Sequence, residues 1–399
     1  MSSARSSAPR VNYGLIGQER TVALLDAILK VGRFPPLLFA GPPGVGKRTA
    51  ALLLARAANC ETRPPLTSAE HKAPKPELKS GTRLLAENSK SKSQSLVSCG
   101  RCSSCRTITL LHHPDVRVFF PVRPEKRTAD DEDEMAGALQ KTLEASERYQ
   151  LGKAQPEPDP KHTISIEVVR WLRQEMTKPP LLARHRFFVI LHAHRMTAEA
   201  ANAFLKTLEE PQRQTALILT TDRPTLLFET IRSRCRLVRF SPITPEKLQQ
   251  WLTEKTGIKP EEAELAALVA DGSPGRALRF LNEPDDFLAA PVLEFFSLPR
   301  ASERDVLVTM TRLDQTPLAT VTFTLLFLFR QALLAKLGIG TGYARHNPAI
   351  RAKAAASSLD YLHQENLFLA SRLEDCRLNI NRRLFLYTLL ADVRRHGSD

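Results

Sequence analysis

The sequence contains no run of about 20 apolar residues, the length a helix needs to cross a bilayer. Its most apolar stretch, VTFTLLFLF from Val321 to Phe329, carries two threonines and ends at Arg330. We read that stretch as a buried helix rather than a membrane span. The opening residues, MSSARSSAPR, are polar and lack the apolar centre of a secretory signal. These two absences set the expectation of a cytoplasmic protein with no membrane partner. Acidic residues are also in short supply: 43 Asp and Glu against 57 Lys and Arg give a formal net charge of +14 over 399 residues. Such an excess favours nucleic acid or acidic proteins as partners but says nothing about fold. The basic residues are scattered, so no patch can be named and direct DNA contact stays open. No internal repeat is present.

What the chain does contain is ordinary globular composition, 42% hydrophobic and 25% charged, in a length that calls for two or three domains. Helical spacing of Val22, Leu24, Leu25, Ile28 and Leu29 precedes a short apolar strand, Leu37 to Ala40. Further strands are expected at Val116 to Phe120, in RFFVIL ending at Leu191, in TALILTT, and at Leu237 to Phe240. Helices fall between them: one is spaced on Ile166, Val169, Leu172 and Met176. A second is capped by Thr197, carries Ala201, Phe204, Leu205 and Leu208 on one face, and stops at Pro211. Strands alternating with helices give a parallel sheet covered on both faces. Two segments, about 61–97 and 123–162, are polar and low in apolar content and read as disordered inserts. From Thr244 onward only helical patterns occur.

The first strand runs straight into GPPGVGKRTA and then into a helix. This is the context in which a glycine run cradles phosphate with backbone N–H groups and a helix N-terminus. Gly41, Gly44, Gly46 and Lys47 fit the pattern G-x-x-x-x-G-K-[ST]; the magnesium-binding hydroxyl is replaced by Arg48. Arginine offers only donors and cannot ligate a cation. Thr49 lies one residue further, about 100° around the helix, and is an imperfect substitute. Hydrolysis also needs a carboxylate at the end of a later strand. There the chain reads Leu191-His192, so the metal-binding half of the site is degenerate twice over, unless an acid comes from elsewhere in the chain. His192 and His194 read as a solvated or hydrogen-bonded pair rather than as metal ligands. His113-Pro114-Asp115 reads as a turn into a strand.

Cys99, Cys102 and Cys105 form C-x2-C-x2-C, and Cys60 closes a four-cysteine set from the end of the preceding helix. Four thiolates leave no open position, so the expected site is structural Zn2+, with an iron–sulfur cluster as the alternative. Cys235 and Cys376 read as buried and inert.

LIGQE, GPPGVGKRTA, CGRCSSC, AANAFLKTLEEP, TIRSRCR and GSPGRAL, in that order, resemble the clamp-loader branch of the AAA+ proteins. The resemblance runs over roughly residues 14 to 290 outside the two inserts. It implies an α/β P-loop AAA+ module, a parallel sheet flanked by helices, over residues 1–241 with a zinc module inserted at about 60–105. A small helical lid domain over 242–290 and an all-α collar domain over 291–399 would follow. It further implies a stator subunit of a DNA polymerase III clamp loader, with no ATP hydrolysis of its own and ATP binding left open. Its partners would be motor subunits of the gamma/tau type and a delta subunit in a hetero-oligomeric ring. The sliding clamp would be another, and primed DNA would be met through the complex. By the same resemblance Arg234, in Ser233-Arg234-Cys235, matches the arginine finger that completes a neighbour's ATP site in trans. Thr220 and Thr221 fall at the sensor-1 position, and Arg276, in the first turn of a helix capped by Ser273, matches the sensor-2 arginine. Two rivals remain: an active motor ATPase using Thr49 and an unrecognised acid, and a zinc-stabilised nucleic-acid-binding module.

Overall fold

The computed structural model describes residues 15–62, 96, 98–123, 161–210, 214–298, 301–376 and 380–395. The polar start MSSARSSAPR, nearly all of the two expected inserts, and Pro211 lie outside the described residues. The chain divides into two compact units, Met1–Ile243 and Thr244–Asp399.

In the first unit, α1 (Glu19–Val31) ends at Gly32 in the left-handed conformation, which glycine adopts without steric cost. Strand β1 (Leu37–Ala40) follows and leads through the glycine loop into α2 (Lys47–Asn59) and then α3 (Ser103–Thr109). Then come β2 (Val116–Phe119), α4 (Ile166–Met176), β3 (Arg186–Ile190), α5 (Ala198–Glu209), β4 (Thr215–Thr221), the one-turn α6 (Glu229–Arg232) and β5 (Arg236–Arg239). The five strands form one parallel sheet in the order β2-β3-β4-β1-β5. β5 pairs one residue earlier than its apolar run suggests: Phe240 lies past the ladder, its N–H donating to the Ala40 carbonyl.

The sheet explains why its strands are apolar throughout. Successive side chains point to opposite faces, and here both faces are covered. Leu37, Phe39, Phe187, Val189 and Ile218 pack on one side with Leu25, Leu29, Leu52 and Leu54 of α1 and α2. Leu38, Phe188, Ile190 and Leu217 pack on the other with Val169 and Leu172 of α4 and Phe204 of α5. The carboxyl ends of β1, β3 and β4 therefore emerge side by side, and the loops beyond them carry the glycine run, His192 and Asp222.

The second unit is helical among its described residues: α7 (Pro245–Thr256), α8 (Pro260–Val269), α9 (Pro274–Asn282), α10 (Ala290–Phe296), α11 (Glu303–Arg312), α12 (Leu318–Lys336), α13 (Gly342–His346), α14 (Pro348–Ala356), α15 (Leu359–Asp375) and α16 (Arg382–Arg395). α12 extends well past the Val321–Phe329 run on both sides. At 19 residues it is long and apolar enough, by length and composition, to cross a membrane. It packs against α10, α14 and α15, with Val321, Leu325 and Phe329 fully buried. Phe329 meets Phe296 of α10 edge-on with ring centroids 5.2 Å apart.

Candidate functional site

Three clusters in the first unit carry the chemistry, and the phosphate loop is the first. Gly41, Gly44 and Gly46 all have positive φ. At Gly41 the reason is close approach as well as conformation: a Cβ there would lie 2.3 Å from the Phe240 carbonyl oxygen. Gly46 is the left-handed N-cap of α2, directly before Lys47. The Lys47 ammonium donates to the carbonyls of Gly41 at 2.5 Å and Pro42 at 2.6 Å. Burial lowers its pKa to about 8, against the pull of the Asp222 carboxylate, which acts to raise it. Arg48 is buried in the first turn of α2, and Thr49 beside it is half-buried.

The second cluster lies at the ends of β3 and β4. Leu191 is buried, and His192 turns into the left-handed conformation, its N–H donating to the Thr220 hydroxyl at 3.3 Å. No carboxylate follows β3; the acid of this region is Asp222, immediately after β4. The two imidazoles face it, His194 Nδ1 at 3.5 Å and His192 Nδ1 at 3.8 Å from Asp222 Oδ1. His194 Nδ1 also lies 3.0 Å from the Thr221 hydroxyl, which accepts from the Arg223 N–H. Burial pushes the His194 imidazole down to about 4, so it is neutral at pH 7. Burial acts to raise the Asp222 carboxyl, but the His192 side chain and the charge of His194 outweigh it and hold it well below the usual range. Sequence reasoning missed Asp222 because its neighbours in the chain give no pattern; only the β3–β4 pairing brings it to the histidines.

The cysteines form the third cluster, and they converge. Cys60 follows α2, Cys102 caps α3 and Cys105 lies in its first turn. One ligand atom from each lies within 4.8 Å of the others, and the Cys99 and Cys105 sulfurs are 4.0 Å apart. A tetrahedron with metal–sulfur distances of about 2.3 Å places its sulfurs about 3.8 Å apart, so the four thiols fit a metal ion. The Cys99 and Cys105 N–H groups point at the sulfurs of Cys60 and Cys102, and the Cys102 N–H points at that of Cys99. N–H groups of Arg101 and Cys102 bring the Cys99 thiol down to about 6, while burial pushes Cys105 up to about 12. Glu61 ties the two halves together by accepting from the Ser104 N–H and hydroxyl.

The remaining sequence-selected residues lie apart from these clusters. Arg234, exposed just after α6, donates through Nε to Glu209 Oε1 at 2.7 Å and through a terminal nitrogen to the Thr230 carbonyl at 3.0 Å. Arg276 belongs to the second unit. Its backbone N–H is capped by Ser273, and its guanidinium lies over the rings of Phe323 at 5.2 Å and Phe287 at 5.9 Å. His113-Pro114-Asp115 does more than turn the chain. The buried Asp115 carboxylate accepts from the N–H groups of Leu181, Leu182 and Ala183 at 2.7 to 2.8 Å and lies 3.6 Å from Arg186 Nε.

Residues 75–244 match the family model described as DNA polymerase III, delta subunit. The delta' subunit of DNA polymerase III from Bacillus subtilis is 28% identical over 251 residues, 63% of this chain and 55% of that protein. Its counterpart from Escherichia coli is 30% identical over 197 residues, 49% of this chain and 48% of that protein. The chain thus spans about half the length of these curated relatives. Among solved structures, a DNA polymerase III gamma subunit-related protein from Thermotoga maritima aligns at 16% identity and a TM-score of 0.42, over 94% of this chain and 99% of that one.

Proposed function

We propose that this relative of the DNA polymerase III delta' subunits is a clamp-loader stator, a cytoplasmic ring component that positions its neighbours and turns over no ATP itself. The observation that carries the reading is the end of β3, where buried Leu191 and left-handed His192 stand in place of the metal-binding carboxylate. Arg48 in place of the loop hydroxyl supports it, since a guanidinium cannot hold Mg2+. On this reading the first unit is an AAA+ module. Within the second, residues 242–290 serve as lid and 291–399 as collar, with Thr221 and Arg276 as remnants of the sensor positions. Partners would be gamma/tau-type motor subunits, a delta subunit, the sliding clamp and, through the assembled ring, primed DNA.

Arg234 would act in trans, its charge neutralising what develops on a neighbour's γ-phosphate, an effect worth roughly 10³ to 10⁵ in rate where such fingers are well studied. Its exposure, and its hold by one partly exposed carboxylate, Glu209, and one backbone carbonyl, that of Thr230, suit a side chain that must be released. Cys60, Cys99, Cys102 and Cys105 would hold a structural Zn2+, which neutralises the thiolates and fixes α3 to the end of α2.

The rival reading, a motor that hydrolyses ATP, gains one observation: Asp222 is a carboxylate close enough to Lys47 to perturb its titration. Steady-state ATP hydrolysis separates the two. The stator reading expects no turnover by the isolated chain with Mg2+ and primed DNA, and a sharp loss of turnover by the assembled loader carrying Arg234→Ala. Turnover by the chain alone, abolished by Lys47→Ala, would overturn it, and an unchanged assembly rate with Arg234→Ala would remove the finger.

A further inference from the structure

His192, His194 and Asp222 form a second metal-capable cluster, separate from the cysteines. One ligand atom from each lies within 4.8 Å of the others. All three side chains are largely shielded, with exposures of 16%, 5% and 20%. Asp222 Oδ1 is a buried oxygen that makes no hydrogen bond to any described group. Its neighbours are the two Nδ1 atoms, at 3.5 and 3.8 Å, too long for hydrogen bonds. Buried polar atoms are almost always satisfied, and an ion is one of the few explanations for an exception. The spacing fits that explanation. Nitrogen and carboxylate donors at about 2.0 to 2.2 Å from a common ion lie about 3.0 to 3.5 Å from one another. One contact already meets this, and the other closes with a few tenths of an ångström of side-chain movement.

We propose that the ends of β3 and β4 bind one divalent cation of borderline softness, of which Zn2+ is the representative, through Nδ1 of His192, Nδ1 of His194 and Oδ1 of Asp222. Two imidazoles and one carboxylate select such an ion over Mg2+, which prefers all-oxygen coordination. Three protein ligands leave at least one coordination position for water or another oxygen donor. Coordination would use the Nδ1 lone pair of His194, so the Thr221 hydroxyl, now 3.0 Å from that nitrogen, would turn away from it or become a further oxygen beside the ion. The ion would join two adjacent strand ends that are also linked here by the His192 N–H to Thr220 and His194 to Thr221 hydrogen bonds.

The test is metal stoichiometry of the full chain, loaded with Zn2+ alone and stripped of loose ion by gel filtration, then read by elemental analysis. His194→Ala and Asp222→Asn should each hold one equivalent less than the parent, whereas Cys102→Ser should keep the equivalent that those two lose. Asp222→Asn preserves side-chain shape, so it guards against a His194→Ala chain that fails to fold, and circular dichroism checks both. Cobalt gives a second readout: Co2+ at this site absorbs in the visible without the thiolate charge-transfer band of a cysteine site. Zn2+ contents equal to the parent in His194→Ala and Asp222→Asn would overturn the proposal, as would a cobalt spectrum that these substitutions leave unchanged. The outcome does not depend on the stator reading, because neither readout measures ATP turnover or assembly.

Discussion

Lys47 is subject to two opposed influences, burial that disfavours its charge and the Asp222 carboxylate that favours it, and burial wins. A lysine whose pKa falls to about 8 in the folded chain binds fewer protons there than in the unfolded chain between that value and its ordinary 10.5. Stability therefore rises with pH across this window, because the unfolded state is the more protonated. The increment from Lys47 should be missing from Lys47→Met, and the difference between the two chains' denaturant midpoints at pH 7.5 and pH 10 measures it. An identical pH response would mean that Lys47 is not desolvated in this way. The glycine loop was readable because each of its residues has a chemical reason to be where it is. Asp222 was not, because a carboxylate after an apolar strand means nothing until the sheet order places it against the histidines of the strand next door.

Among the elements, the strands were the most legible. A parallel sheet covered on both faces demands unbroken apolar runs, and four of the five strands lie where such runs occur. β5 differs by one residue since most of its side chains are exposed, so its apolar pattern is weak and backbone pairing with β1 sets its bounds. Caps were also legible: Thr197 accepts from the Ala200 N–H and Ser273 from that of Arg276, as their hydroxyls and positions suggest. What the sequence concealed is the link between β2 and the loop before β3. Asp115 sits at the start of one and organises the other, across sequence separations of 66 to 68 residues. Asp115→Asn should destabilise the chain by about 1 to 3 kcal/mol, since it turns an acceptor toward buried N–H groups into a donor, while Arg186 keeps Glu175 Oε2 at 3.0 Å as its carboxylate partner. Acid should act on the same element. Burial lowers the pKa of His113, whose Nδ1 accepts the Asp115 N–H, and Asp115 is held below the usual carboxylate range. For each, the unfolded state binds more protons as the pH falls, so stability is lost below about 6.5 for the histidine and below about 4 for the aspartate. Urea midpoints measured from pH 7 to pH 3.5 should fall, and the portion below pH 4 should flatten in Asp115→Asn.

At the scale of the whole molecule, the cysteine cluster and the helical second unit respond to different perturbations. Cys60, Cys99, Cys102 and Cys105 all belong to the first unit, between the end of α2 and the start of α3. Cys102→Ser should release one metal equivalent and raise hydrogen exchange over residues 99 to 115, while exchange in α12 and α15 stays as in the parent. Stoichiometric metal retained by Cys102→Ser would refute the four-sulfur site. On the stator reading, the ion pair between Arg234 and Glu209 would have a consequence for assembly. A guanidinium that moves from this carboxylate to a neighbour's phosphate exchanges one anion for another, so the encounter neutralises no charge that was previously bare. Such a swap is isocoulombic at that contact: ionic strength weakens the old pairing and the new one together. Recognition there would rest on geometric fit and on the extra charge of the phosphate, and would lose less to added salt than an attraction between two unpaired surface charges.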